Sequence, residues 1–142
     1  MIRSEFQIRA ASDAKGQRRI SLALIILLRL LALAYLALAL WMWAQTIGYW
    51  PGGDVRFDSM NVPSRVYHAM LCVMFPVVAV GLWTTLAWGR VVWILAILVQ
   101  VGAFALFRRE IGVPEIFLNF HAISVAVYLA LELGLRLVTN ED

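Results

Sequence analysis

Four long apolar runs, separated by shorter polar stretches, dominate the hydrophobic pattern of this chain of 142 residues. They cover residues 20–47, 66–86, 91–107 and 116–138. A helix needs about 20 mostly apolar residues, with a range of about 17–25, to cross the hydrocarbon core of a bilayer. The pattern therefore predicts an all-α integral membrane domain over residues 20–138, built as a four-transmembrane-helix up-and-down bundle.

The polar connections between the runs set how neighbouring helices pair. Residues 87–90, AWGR, are all that separates the second run from the third, so these two helices are expected to form an antiparallel hairpin. The longest connection covers residues 48–65 and contains WPGGD, a combination typical of a turn. Pro63 near its end suits the first turn of a helix. A helix start is thus expected just before the second run.

Composition makes lipid rather than water the expected surroundings of this domain. The chain is 63% hydrophobic with a mean hydropathy of +0.82, whereas soluble domains are about 45–50% apolar. Charged residues make up 15% of the chain, against about 25% in soluble domains. The net charge of +3 does not indicate nucleic-acid binding, because most basic residues flank the apolar runs, where membrane topology explains them.

The distribution of basic residues sets the expected orientation. Eight arginines and lysines lie on the side of the bilayer that holds both termini, and four lie on the other side. The positive-inside rule therefore places both termini in the cytoplasm, with a basic cytoplasmic tail at 1–19 and a short C-terminus at 139–142. The 12 basic residues comprise 11 arginines and one lysine, a bias typical of a GC-rich bacterial genome. We therefore expect a multi-pass protein of the bacterial inner (plasma) membrane.

Three charged residues within the runs need an explanation, because ionisable groups inside spans are costly and tend to pair. Arg29 in the first run and Glu132 in the fourth are both expected in the inner leaflet, at similar depth on neighbouring helices. Arg136 follows Glu132 by four residues on the same helix face and could share its carboxylate. The Arg29–Glu132 pair is either a structural clasp or part of a site for a substrate, ion or proton. Arg29 could also snorkel to the interface.

Two histidines form a second candidate site. His68 lies near the start of the second run and His121 near the start of the fourth, so both are expected about one turn inside the outer interface. They could be axial ligands of a haem b, or each could bond a backbone carbonyl or interfacial water. Glu115 and Asn119 flank His121, which also allows an outer polar pocket without a cofactor. Cys72 is the single cysteine, so no cysteine-based metal site is expected. No cofactor is predicted, with haem as the alternative.

Gln100 lies near the middle of the third run. A buried amide there can hydrogen-bond across helices, and we interpret it as an interhelical contact rather than a ligand. Ala32 and Ala39 in the first run are seven residues apart and could allow close helix contact. The sequence contains no phosphate-binding glycine loop, nucleophile elbow or HExxH motif. No catalytic residue is therefore assigned, and an enzymatic activity is not favoured.

The stretch LWTTLAWGRVVWILA is similar to a family of small four-span inner-membrane proteins of unknown function from alphaproteobacteria. Trp88 and Gly89 at the predicted hairpin, followed by Trp93, carry the resemblance, which extends over residues 20–138. In its span count the chain also resembles the four-span DoxX-like membrane proteins. These resemblances imply a four-span membrane fold, but they assign no activity and no site residues.

Together, these observations favour a non-catalytic accessory, assembly or scaffold subunit of a membrane complex. Its expected partners are the lipid bilayer and either another membrane protein or a second copy of the chain, with no nucleic acid. Two alternatives stay open. One is a small carrier or ligand-binding protein that uses Arg29, Glu132 and Gln100 along an interior path. The other is a haem or quinone redox subunit that uses His68 and His121.

Overall fold

The computed structural model describes residues 2–49, 57–111 and 115–139 of the chain. All regular elements in these residues are helical, which confirms the predicted all-α class. Helix α1 covers Ile2–Thr46, α2 covers Val62–Trp83, α3 covers Ala87–Ile111 and α4 covers Glu115–Thr139, and a short 3-10 helix covers Phe57–Ser59.

Each long helix contains a segment that is long and apolar enough to cross a membrane. These segments are Ala14–Thr46, Val62–Trp83, Ala87–Phe107 and Glu115–Thr139. They overlap the four predicted runs, but α1 begins at Ile2, well before residue 20. The preceding stretch, RAASDAKGQRR, is rich in alanine and in long polar side chains with high helix propensity. The backbone therefore stays helical where the hydrophobic pattern has already ended.

The chain divides into two compact units, which we describe separately. The terminal unit comprises Met1–Leu27 and Ala122–Asp142, and the central unit comprises Leu28–His121. In the terminal unit, Gln17 Nε2 donates a hydrogen bond to Thr139 Oγ1 over 3.3 Å. The part of α1 around Gln17 therefore meets the end of α4.

The core of the central unit is built from one face of each of three helices. Buried side chains recur three and four residues apart, the spacing that turns one helix face toward its neighbours. On α1 they include Leu28, Leu31, Ala32, Tyr35, Ala39 and Met42; on α2 Leu71, Phe75, Val78 and Leu82; and on α3 Trp93, Ala96, Gln100 and Ala103. The two alanines that were expected at close helix contacts, Ala32 and Ala39, belong to this set.

A tight turn at residues 84–86 joins α2 to α3. Thr85 has a φ of 56°, a left-handed conformation that is unusual for a β-branched residue. The Thr84 hydroxyl donates to the carbonyl oxygens of Val80 at 3.0 Å and Gly81 at 3.1 Å, which satisfies the end of α2. The turn lies before residues 87–90, the predicted link, which are helical instead. The end of α2 is therefore set by the backbone geometry at Thr85, and not by a loss of apolar residues.

Gly81 and Gly89 bring the backbones of α2 and α3 into direct contact beside this turn. A Cβ atom built on Gly81 would stand 2.5 Å from Gly89 Cα and 2.8 Å from Trp88 Cζ3. Side-chain carbons essentially never approach another heavy atom so closely. The two helices can therefore cross at this distance because both residues lack a side chain.

Two further helix boundaries follow local chemistry. Asn61 caps α2, because its Oδ1 accepts a hydrogen bond from Ser64 N at 2.9 Å. Pro63 lies in the first turn that follows, where a missing backbone N–H costs nothing.

On α3, Phe107 has non-helical φ and ψ angles of −127° and 25°, which mark a kink. The predicted third run ends at this same residue.

Candidate functional site

A buried polar pair, Tyr35 and His121, joins α1 to α4 in the central unit. Tyr35 is 0% exposed and His121 is 2% exposed. The Tyr35 hydroxyl lies 3.4 Å from His121 Nδ1, and the two rings stack with centroids 6.3 Å apart. Buried polar groups need such partners, because an unpaired hydroxyl or imidazole nitrogen in an apolar core is costly.

Aromatic rings enclose this polar pair. The Tyr35 ring meets Phe75 of α2 edge-on at 5.4 Å and Phe120 of α4 at 6.3 Å. Trp93 of α3, which is 1% exposed, lies close enough to interact with the Tyr35 hydroxyl. Tyr35 thus touches all three neighbouring helical segments of the central unit. Solvent barely reaches the pair, and its contacts connect α1 to the start of α4 within the central unit.

His68 belongs to a second group of polar contacts, between α1 and α2. Its Nε2 lies 3.2 Å from Gln45 Oε1. Trp43 Nε1 donates to the Cys72 carbonyl oxygen at 3.0 Å, and Thr46 Oγ1 lies 3.4 Å from Cys72 Sγ. Each of these bonds connects a side chain near the end of α1 to the first half of α2, so the group ties these two segments together.

The structure places the two candidate histidines at different levels of the central unit. His121 lies beside Tyr35, and His68 lies beside Gln45. Tyr35 and Gln45 are ten residues apart on one helix, which corresponds to about 15 Å along its axis. The two axial ligands of a haem bind one iron atom from opposite faces, and this spacing does not offer the two histidines as such a pair. Among the described residues, no group of three histidine, cysteine, aspartate or glutamate side chains is arranged to hold a metal ion.

Arg29 lies on the surface of the central unit. Its side chain is exposed, and the guanidinium carbon stands 5.5 Å from the centroid of the Trp83 ring, in the geometry of a cation–π contact. Trp83 is the last residue of α2. The guanidinium therefore lies at the same end of this unit as the α2–α3 turn. Hydrophobic pattern alone does not indicate this aromatic partner.

Glu132 and Arg136 lie in the terminal unit. Arg136 Nη2 is 3.6 Å from Glu132 Oε1, the contact expected for residues four apart on one helix. The Arg136 side chain is 72% exposed and that of Glu132 is 27% exposed, so this ion pair contributes little to stability in solvent. The Arg29–Glu132 bridge stays a prediction.

Gln100 is 2% exposed and shares the buried face of α3 with Trp93, seven residues earlier. Its Nε2 atom has no hydrogen-bond partner among the residues that the structure describes. A glutamine in this setting is interior, whereas Arg29 is exposed. The two residues thus differ in exposure within the central unit, and the interior path stays a prediction.

An open apolar groove of about 470 Å³ lies in the central unit between α1 and the start of α4. Its lining contains small alanines on α1 and bulky aromatic rings on both helices: Ala34, Ala37, Leu38, Trp41, Ile116, Phe117 and Phe120. Phe120 lines the groove and also contacts both rings of the Tyr35–His121 pair. Sequence reasoning missed this groove, because its two walls come from runs about 80 residues apart. The spacing of Ala34, Ala37, Leu38 and Trp41, all on one helix face, is the available signal.

A family model whose description is "family of unknown function" matches residues 22–139, which is most of the chain. The predicted resemblance to a family of unknown function is therefore confirmed. The alphaproteobacterial origin and the DoxX-like likeness stay predictions. No curated protein and no solved structure matches the chain.

Proposed function

The chain belongs to that family, DUF6163, and from this premise we propose that it is a multi-pass membrane protein serving as a non-catalytic accessory or scaffold subunit. The open apolar groove between α1 and α4 carries the proposal. It offers a partner small alanines on α1 and aromatic rings on both α1 and α4. The proposed partner is a transmembrane helix of another protein in the same membrane.

Exposed apolar side chains support the membrane location. Leu30, Leu40, Leu98 and Leu133 are each at least 60% exposed, and they come from three different helices. In water, so many exposed large apolar side chains are costly, whereas lipid tails cover them without penalty. The excess of basic residues on one side supports cytoplasmic termini in a bacterial inner membrane.

The shape of the groove supports a helix as its occupant. Hydrophobic attraction between helices is weak in lipid, so close approach and van der Waals packing drive their association. Ala34 and Ala37 leave room on α1 for a partner side chain, and Phe117 and Phe120 form the opposite wall. A partner helix that places a bulky apolar side chain on these alanines would fill the groove.

The polar interior supports a non-catalytic role over the alternatives. Tyr35 and His121 contact each other and the surrounding rings rather than an open cavity. The carrier alternative gains less support, because Arg29 is exposed and Gln100 is buried. The haem alternative gains less support from the separate levels of the two histidines.

Cross-linking from the groove tests the proposal. We expect a photo-reactive benzoylphenylalanine at position 37 to yield one discrete protein adduct in native membranes. The same probe at position 69, where an exposed alanine of α2 lies away from the groove, should not yield this adduct.

A matched pair of substitutions then measures the contact. Ala37→Leu fills the groove and should weaken binding of the cross-linked protein about 5- to 150-fold, the range that corresponds to overpacking by 1–3 kcal/mol, and so reduce its co-purification. Ala69→Leu adds the same side chain elsewhere and should leave co-purification unchanged. Lipid adducts alone at position 37, or equal effects of both substitutions, would contradict the subunit role.

A further inference from the structure

Arg29 is a fixed positive charge in an apolar, exposed stripe of α1. Leu33 and Leu36 lie one and two turns further along the same face, and both are exposed, as is Leu30 next to it. An arginine keeps its charge under all physiological conditions. In apolar surroundings such a charge requires a counter-charge or hydrogen-bond acceptors.

A second arginine of the same unit, Arg65, combines a ring contact with oxygen acceptors. Arg65 stands 5.8 Å over the Phe57 ring, and its Nη2 also donates to the carbonyl oxygens of Asp58 and Met60, both at 3.1 Å. Arg29 has the comparable ring contact with Trp83. Within the described part of the central unit, no oxygen accepts a hydrogen bond from it.

Trp83 offers the guanidinium an aromatic ring but no oxygen acceptor. A cation–π contact is an attraction to the electrons of the ring, and the guanidinium carries five N–H donors that can bind an oxyanion. Trp83 is itself 49% exposed and ends α2, and Trp88 beyond the turn is 43% exposed. Exposed tryptophans at helix ends are typical of the membrane interface, where lipid headgroups lie.

We infer that Arg29 and Trp83 form a binding site for the phosphate of an anionic phospholipid headgroup. This inference rests on the proposed membrane location. The planar guanidinium matches two phosphate oxygens with two parallel N–H donors. Trp83 fixes its orientation, and the leucines of the exposed stripe face the acyl chains. The apolar surroundings favour a lipid over free phosphate as the source of the anion.

Native mass spectrometry of the purified full chain in detergent tests the site. The probes are phosphatidylglycerol, phosphatidylcholine and inorganic phosphate. We expect the wild-type chain to bind phosphatidylglycerol about fivefold more than phosphatidylcholine, the effect of one basic residue near an anionic surface. An excess of inorganic phosphate should not displace the lipid.

Three variants test whether the preference for phosphatidylglycerol depends on Arg29 and Trp83. Arg29→Gln and Trp83→Leu should lower the ratio of the two lipids to about one. Arg109→Gln removes the same charge from an exposed position on α3 and should keep the fivefold ratio. Circular dichroism of each variant should match the wild type, since both site residues are exposed.

Failure of the lipid site can be distinguished from failure of the proposed membrane location. Equal binding of the two lipids by the wild type, an unchanged ratio in Arg29→Gln, or displacement by inorganic phosphate would each overturn the lipid site. Carbonate extraction of native membranes is the independent readout of location. Retention of the chain with equal lipid binding overturns the inference alone, whereas release of the chain overturns the proposed location as well.

Discussion

Gly81→Ala is expected to lower the free energy of unfolding by about 3 kcal/mol, the upper range for overpacking a well-packed site. The added methyl group would stand 2.5 Å from Gly89 Cα and 2.8 Å from the Trp88 ring. Backbone atoms cannot turn aside as a flexible side chain can, so α2 and α3 would have to separate. Gly89→Ala should have an effect of similar size, because it meets the Gly81 backbone from the other side.

Unfolding of the purified chain in mixed micelles, followed by circular dichroism, measures this effect. Gly102→Ala is the matched control, because it lies on α3 and a Cβ there would meet nothing within 4 Å. This control should be neutral or stabilise the helix by up to about 1 kcal/mol, since alanine is the better helix former. Equal stability of Gly81→Ala and Gly102→Ala would contradict the close backbone contact.

Tyr35→Ala is expected to cost about 3–5 kcal/mol, the range for removing a large buried aromatic side chain. The ring is 0% exposed and contacts Phe75, Phe120 and His121. Its removal would leave a cavity where three helices meet. The same unfolding experiment measures this loss.

Two further substitutions separate the ring from its hydroxyl. Tyr35→Phe keeps the ring and loses the contact with His121 Nδ1, so it should cost about 1 kcal/mol or less. Tyr49→Ala removes a tyrosine that is 82% exposed and should be close to neutral. A cost for Tyr35→Phe as large as that of Tyr35→Ala would show that the hydroxyl, not packing, dominates.

The sequence predicts the number and type of the long helices well, because run length alone separates helices long enough to span a membrane from the connections between them. It predicts their ends less well. The end of α2 depends on the left-handed backbone at Thr85 and on the Thr84 hydroxyl, neither of which changes the hydrophobic pattern. The start of α1 depends on helix propensity rather than on apolarity.

The hydrophobic periodicity of the sequence does not predict which side chains of distant runs contact each other. Gly81 and Gly89 each lie four residues from Thr85 along the sequence. This spacing indicates a close crossing of α2 and α3 only once the turn between them is known to lie at Thr85. Tyr35 lies in an apolar run in which any face could point inward, so its contact with His121 depends on how α1 is rotated.

The contact of Arg29 in the candidate site is likewise not predicted by the sequence pattern. The depth expected for Arg29 in a membrane follows from its place in the first run, and the sequence offers Glu132 as an expected partner on a neighbouring helix. The Trp83 ring, which the structure places beside the guanidinium, ends a different run. Aromatic partners of this kind leave no signature in charge pairing, so a search for opposite charges does not find them.

Cysteine accessibility in spheroplasts tests the four-span membrane account most directly. In a Cys72→Ala background, Ser59→Cys reports on the segment between α1 and α2, and Leu86→Cys reports on the exposed α2–α3 turn. With both termini cytoplasmic, a membrane-impermeant maleimide should label Ser59→Cys in intact spheroplasts. It should label Leu86→Cys only after permeabilisation. Labelling of both positions from the outside, or of Leu86→Cys alone, would contradict the account.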